Sequence, residues 1–221
     1  MKTDTFLLPA FFDYGATFLW AVSGALLAAR RGNDVIGMLI LALVSSTGGG
    51  LLRDGIFLQQ GPPLLVQSPK YLTLVLIATA FVVLFGRFVP RARFDRLVNL
   101  VDGLGLGAYA VVGMNRATAL NLSLLGVVLV GMVNAVGGAV LRAVLIAKEP
   151  QLFRPGTLLA VAALIGCAVF LSLTRLFGVG QTTSAWITIA TVFIIRAVSV
   201  QYHIETKPLS GFTGDWKAPA D

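Results

Sequence analysis

Four charged side chains in this chain lie several residues inside strongly apolar runs: Asp13, Arg53, Asp102 and Arg142. In hydrocarbon a charge costs several kcal/mol unless it is paired or hydrated, so each needs a partner or water. Asp13 and Arg53 fall at similar depths from one side, and Asp102 and Arg142 at similar depths from the other. Two ion pairs are therefore predicted, Asp13 with Arg53 and Asp102 with Arg142. Such pairs either neutralise each other and fix the helices, or help to control entry from each side. Asp54 follows Arg53, but its counterpart after Arg142 is Ala143, so any role it has is confined to one half. Arg196 is expected to snorkel toward the headgroups.

Close to these charges run two small-residue motifs, Ser45-Ser46-Thr47-Gly48-Gly49-Gly50 and Asn134-Ala135-Val136-Gly137-Gly138-Ala139. Glycine inside a helix costs about 1 kcal/mol relative to alanine, favours a kink, and lets another backbone approach. Unwound backbone at membrane depth is tolerated only where it is buried in protein or lines a water-filled cavity. A solute pathway is one reading; close helix packing through small residues is the other. The remaining chemistry is sparse. A single cysteine, Cys167, and a single histidine, His203, exclude a disulfide framework, a thiolate metal cluster and most imidazole chemistry. No nucleophile, base and orienting group can be assembled, so an enzyme and a resident cofactor or metal are not expected. Gly103-Leu104-Gly105-Leu106-Gly107 has no preceding strand and reads as a small-residue helix face, not a nucleotide loop. Trp20, Trp186 and Tyr109 read as packing residues.

The elements that must carry these residues follow from composition. Of 221 residues, 57% are hydrophobic and only 12% charged, and the mean hydropathy is +0.86. Soluble domains carry roughly twice that share of charge. The chain is an integral membrane protein, and its net charge of +7 marks loop orientation rather than nucleic-acid binding. A helix needs about 20 apolar residues to cross the bilayer. Seven such runs are present, near 6–29, 35–58, 71–88, 97–114, 120–147, 157–177 and 182–200. Gly-, Pro- and Arg-rich loops separate them, and the alternation of a membrane barrel is missing. The first run follows Lys2, but Asp4, Asp13 and its length argue against a cleaved signal peptide. Lys2, Lys70, Arg116 and Arg175 fall on one side, while Arg30, Arg31, Arg87, Arg91, Arg93, Arg96, Lys148, Arg154, Lys207 and Lys217 fall on the other. The second side is predicted to be cytoplasmic, in an inner (plasma) membrane, with the N-terminus outside and a short cytoplasmic tail over 204–221.

At an offset of 89 residues the chain matches itself without a gap. Asp13 meets Asp102, Gly24 meets Gly113, Gly37 meets Gly126, Gly48-Gly49 meet Gly137-Gly138, and Leu52-Arg53 meet Leu141-Arg142. Each copy holds three spans, so the second copy enters the bilayer from the opposite side. One seven-helix domain over 1–203 is predicted: inverted repeats near 6–88 and 95–177, plus a seventh helix near 182–200. Inverted repeats recur in proteins that move solutes.

Ser23-Gly24-Ala25-Leu26-Leu27-Ala28-Ala29-Arg30-Arg31, Gly48-Gly49-Gly50-Leu51-Leu52-Arg53-Asp54 and Gly137-Gly138-Ala139-Val140-Leu141-Arg142 resemble the bacterial members of the trimeric intracellular cation (TRIC) channel family, also labelled the glycine transporter or UPF0126 family. The resemblance implies a homotrimer of seven-helix protomers in membrane lipid, each with its own pore for monovalent cations, potassium chiefly and sodium less so. It also implies kinks at Gly48, Gly49 and Gly50 and at Gly137 and Gly138. Where this chain has Ala139 and Ala143, a stiffer fifth span and one fewer pore carboxylate are expected. On this reading, carbonyls near the kinks, with Ser45, Ser46, Thr47 and Asn134, replace ion hydration. The alternative is a secondary transporter of a small solute such as glycine, and a third class is a non-conducting scaffold.

Overall fold

The computed structural model describes residues 10–153, 158–202 and 204, without side chains for 91–96. Lys2, Arg154, His203, Lys207, Lys217, the start of the first predicted span and the tail from 205 onward lie outside the described residues, as do the side chains of Arg91, Arg93 and Arg96. The described chain is all-helical. It comprises α1 (Phe11–Arg30), α2 (Val35–Leu52), a short α3 (Leu64–Gln67), α4 (Pro69–Phe85), α5 (Arg91–Ala119), α6 (Leu124–Leu145), α7 (Leu159–Leu171) and α8 (Gln181–Gln201). All but α3, with α2, α4 and α7 counted together with the turns that continue them to Leu58, Phe88 and Leu176, are long and apolar enough to cross a membrane, and the chain is a multi-pass membrane protein built from two inverted three-helix repeats and a seventh helix.

The seven spans follow the apolar runs, but several ends differ. α5 begins at Arg91, directly after the extended N-cap residue Pro90, and reaches Ala119; a proline there leaves no N–H of its own to satisfy at the helix start. The Gly61-Pro62-Pro63 stretch, read as a loop, feeds the extra short helix α3. α2 and α7 each run on into a wider π turn, at Arg53–Leu58 and Ser172–Leu176.

The repeat is visible in local geometry. Asp34 caps α2 by accepting from the Gly37 N–H at 2.8 Å, and Ser123, 89 residues on, caps α6 from Gly126 at 3.2 Å. Such caps satisfy amides that the helix itself leaves unpaired. The preceding turns place Gly32 and its counterpart Asn121 in the left-handed region, at φ 78° and 54°. α1 packs on α2 as α5 packs on α6, and α2 meets α6 across the middle. Trp20 and Tyr109, again 89 apart, lie there edge to face with centroids 5.5 Å apart. The outward faces remain apolar, as at Ile77, Phe81 and Leu84 on α4, which suits contact with lipid.

α-Helical hydrogen bonding passes uninterrupted through Gly48–Gly50 and Gly137–Gly138. The backbone is therefore not unwound at these motifs, and the first irregular turn begins downstream, at Arg53. The glycines serve instead as a contact surface. A Cβ on Gly49 would collide with the Asn134 carbonyl, and one on Gly138 with the Ser45 carbonyl. Ser45 and Asn134 are themselves repeat partners, so the two collisions are the same contact seen from each half. A Cβ on Gly137 would also stand 3.0 Å from the Gly49 Cα. The two helices cross backbone on backbone, an approach that a side chain at either point prevents.

Candidate functional site

At the end of the bundle where α2 terminates, a narrow cleft is lined by Asp13 and Thr17 of α1, Ser46, Thr47 and Gly50 of α2, Arg53 and Asp54 of the π turn, Leu64 of α3, Tyr71 of α4 and Tyr109 of α5. Its volume is about 20 Å³, room for a single water. Arg53 does not pair with Asp13. Its Nε donates to Asp54 Oδ1 at 2.6 Å and its Nη2 to Asp54 Oδ2 at 3.0 Å. The predicted Asp13–Arg53 pair is thus corrected. Adjacent side chains do not face each other on a regular α-helix; this pair forms where α2 widens into the π turn. Asp13 instead accepts from the Tyr71 hydroxyl at 2.5 Å. The counterpart of Tyr71 is Ala160, so the second repeat offers no such competitor.

From Arg53 a chain of hydrogen bonds leads inward. Nη1 donates to Asn134 Oδ1 at 3.3 Å, and the Asn134 amide donates to the Tyr109 carbonyl at 2.7 Å. The Tyr109 hydroxyl donates to the Ser46 carbonyl and lies 3.1 Å from Thr17 Oγ1. Asn134 is fully buried, so a missing partner there would cost about 1–3 kcal/mol. Ser45, Ser46 and Thr47 donate to the carbonyls four residues earlier, Leu41, Ala42 and Leu43. Their hydroxyl protons are committed to α2, and of the three only Ser46 and Thr47 line the cleft, where their oxygen lone pairs remain available.

Toward the opposite end stands the second charged cluster. Arg142 Nη2 donates to Asp102 Oδ2 at 2.7 Å, and Nη1 donates to Ser23 Oγ at 2.8 Å. Ser23 in turn donates to Asp102 Oδ1 at 2.5 Å. The Trp20 ring separates this cluster from Tyr109, with the Arg142 guanidinium 6.0 Å from its centroid, a distance at which cation–π attraction operates.

The structure thus gathers Asp13, Ser46, Thr47, Gly50 and Arg53 around one cleft, places Asp102 and Arg142 together in another cluster, and sets Asn134 between them. Ser45, Gly48, Gly49, Gly137 and Gly138 belong to the helix crossing rather than to the cleft lining. Sequence reasoning missed Thr17, Ser23 and Tyr71, noted Asp54 without foreseeing its pairing with Arg53, and read Tyr109 as packing alone. Tyr109 and Trp20 share the 89-residue offset, which was the available signal that both sit on the pseudo-two-fold axis. Trp186 does pack, 4.9 Å from Phe12. Arg196 does not snorkel; it is 1% exposed. Among the described residues no group of His, Cys, Asp and Glu could hold a metal ion, and Cys167 is buried and free.

The two carboxylates of the cleft are expected to separate experimentally. Asp54→Ala leaves Arg53 buried without its partner and should cost about 3–5 kcal/mol, whereas Asp13→Ala removes one hydrogen bond and should cost about 1 kcal/mol. Thermal unfolding of the purified variants in detergent compares them, and equal losses would restore the Asp13–Arg53 pairing.

The sequence profile of the family described as glycine transporter matches this chain twice, over residues 10–87 and 99–175. A UPF0126 membrane protein of Deinococcus radiodurans is 36% identical over 155 residues, 70% of this chain and 71% of the relative. The UPF0126 inner membrane protein YadS of Escherichia coli K12 is 28% identical over 199 residues, 90% of this chain and 95% of the relative. Among solved structures, the TRIC channel orthologue of Rhodobacter sphaeroides superposes with a TM-score of 0.80 at 29% identity, covering 88% of this chain and 97% of that one. Another TRIC cation channel gives 0.75 at 26% identity, covering 90% and 95%. With both repeats and the seventh helix accounted for, the chain belongs to the UPF0126 (glycine transporter) membrane-protein family and has the fold of the trimeric intracellular cation channels.

Proposed function

We propose that this protein is a cation channel that conducts monovalent cations, chiefly potassium, with one pathway through each seven-helix protomer of a homotrimer. The observation that carries this reading is the column of buried polar groups running through the centre of an otherwise apolar bundle: Asp54 and Arg53, then Asn134 and Tyr109, then, past Trp20, the Arg142–Asp102–Ser23 cluster. Buried ion pairs are weak contributors to stability, so folding alone does not account for such a column. Solved relatives described as TRIC cation channels support the same reading. The orientation that fits the basic residues has the N-terminus outside an inner membrane and the C-terminus in the cytoplasm.

The chemistry divides by depth. The cleft at the Arg53 end carries one cation and two carboxylates, Asp13 and Asp54, so it favours a cation over an anion. The oxygens of Ser46, Thr47, Thr17 and Tyr109 stand where a partly dehydrated ion would exchange water ligands. The glycine motifs bring α2 and α6 together below this cleft. The Trp20–Tyr109 pair lies across it, and permeation waits on a shift of those rings.

Reconstitution into planar bilayers tests this. Unitary potassium currents are expected from the wild type, and Trp20→Ala is expected to raise the open probability several-fold. Saturable glycine uptake without unitary events would transfer the site to a transporter, and neither signal from well-folded protein would leave a scaffold.

A further inference from the structure

Arg116, in the last turn of α5, carries a charge that the pathway leaves unexplained. Its side chain is half-buried and makes no hydrogen bond or ion pair among the described residues. The equivalent position in the first repeat is Leu27, so the repeat itself does not call for a charge here.

Arg116 lines a cavity of about 210 Å³ together with Asp54, Gln60, Gly61, Pro62 and Leu64, among others. Gln60, Gly61 and Pro62 are exposed, which puts this cavity on the solvent side. Asp54 and Leu64 also line the narrow cleft around Arg53. The Leu64 N–H donates to Asp54 Oδ2 at 3.3 Å, and the two residues form the wall that divides the outer cavity from the cleft. The cavity is therefore a vestibule. Asp54 and Arg116 are the charged residues of its lining, and Asp54 is already balanced by Arg53. Arg116 is left as the uncompensated charge. Its field extends into the cleft, where it acts on Tyr71, the residue that donates to Asp13. An ion arriving at this end meets a net positive vestibule first, and then a cleft holding Asp13 and Asp54 against Arg53.

We propose that Arg116 is a specificity-determining residue of the pathway, whose unpaired charge holds divalent cations out of the vestibule at the Arg53 end while monovalent cations pass. The inference rests on the channel reading above. Electrostatic work scales with valence. Whatever factor a fixed charge takes from the local concentration of potassium, it takes the square of that factor from a divalent ion. One unit charge within a nanometre in wet surroundings is worth about twofold for a monovalent cation, hence about fourfold for a divalent one. The acids deeper in the cleft offset the modest penalty on potassium. Those same acids would hold a divalent ion that passed, so exclusion at the mouth protects the cleft from block.

Single-channel recording in planar bilayers tests this, with about 50 mM or about 1 M KCl in both chambers and barium added to both. Arg116→Gln is expected to raise potassium conductance at low salt by about twofold. It should lower the barium concentration for half-block by about fourfold, at one polarity only, because one end of the bundle carries this residue. At high salt both differences should vanish, since the Debye length shrinks to about 3 Å. Arg116→Lys keeps the charge and should match the wild type. Arg116→Gln loses no hydrogen bond and should unfold at the wild-type temperature. Should it fail to fold, Ala119→Glu places a counter-charge at an exposed position of the same lining and should produce the same two shifts. Equal factors for potassium and barium in a conducting variant, or no change at either polarity, would overturn the proposal. Absence of unitary currents from the wild type would defeat the channel reading itself, and this inference with it.

Discussion

Gly49→Ala and Gly138→Ala are each expected to lower the stability of the protein by about 3 kcal/mol or more, despite adding a better helix former. Two effects oppose each other at these positions. Replacing a mid-helix glycine by alanine gains about 1 kcal/mol in intrinsic propensity. The added methyl, however, would overlap the carbonyl oxygen of Asn134 or of Ser45, and both of those atoms are backbone. A flexible side chain could turn aside; a helix axis must translate. Overpacking of this kind costs typically 1–3 kcal/mol and more where the neighbour is rigid, so the clash wins. Gly15→Ala in α1 gives the control, since a Cβ there meets nothing within 4 Å. It should be neutral or stabilising by up to about 1 kcal/mol. Thermal unfolding of the three variants in detergent, with elution profiles to monitor assembly, reads the contrast. Were Gly49→Ala and Gly15→Ala to behave alike, the backbone-on-backbone crossing of α2 and α6 would be wrong.

The second large effect concerns the Arg142–Asp102 cluster. Asp102→Asn is expected to cost about 3–5 kcal/mol, because it strands a guanidinium that is almost fully buried. Arg142→Leu should cost a similar amount, leaving the carboxylate with Ser23 alone. The double variant Asp102→Leu/Arg142→Leu should recover most of the loss, since apolar groups of similar size replace a buried ion pair at little cost. The sum of the single losses should therefore exceed the loss of the double variant by 2 kcal/mol or more, the signature of direct coupling. Strict additivity would mean that the two charges are stabilised independently. The folded double variant is also the sharpest probe of the proposed pathway. If potassium currents persist unchanged in it, the Arg142 end of the polar column takes no part in conduction.

Much of the architecture was legible in the chain. Seven spans follow from apolar length, because in a bilayer each helix must satisfy its own backbone and needs no distant residue to do so. The inverted repeat followed from rare residues recurring at one offset, and its geometry reappears in the paired caps at Asp34 and Ser123 and in the reciprocal contacts of Gly49 and Gly138. The Asp102–Arg142 contact was legible for the same reason, as two lone charges at one depth with no nearer alternative.

What the chain alone could not decide was the choice among near-equal partners. Arg53 had two carboxylates within reach. The selection of Asp54 depends on a π turn that widens the end of α2 and on Tyr71, a residue from another helix, occupying Asp13. Glycine composition marked α2 and α6 as special but could not say that they touch, which depends on how closely the two axes approach. Arg196 illustrates the same limit: its position in the sequence suits snorkelling, and only the packing of α8 against Gly103 draws it inside. Apolar burial in membrane is a property of a segment, so sequence determines it. Pairing of buried charges is a comparison of distances between segments, so the tertiary structure decides it.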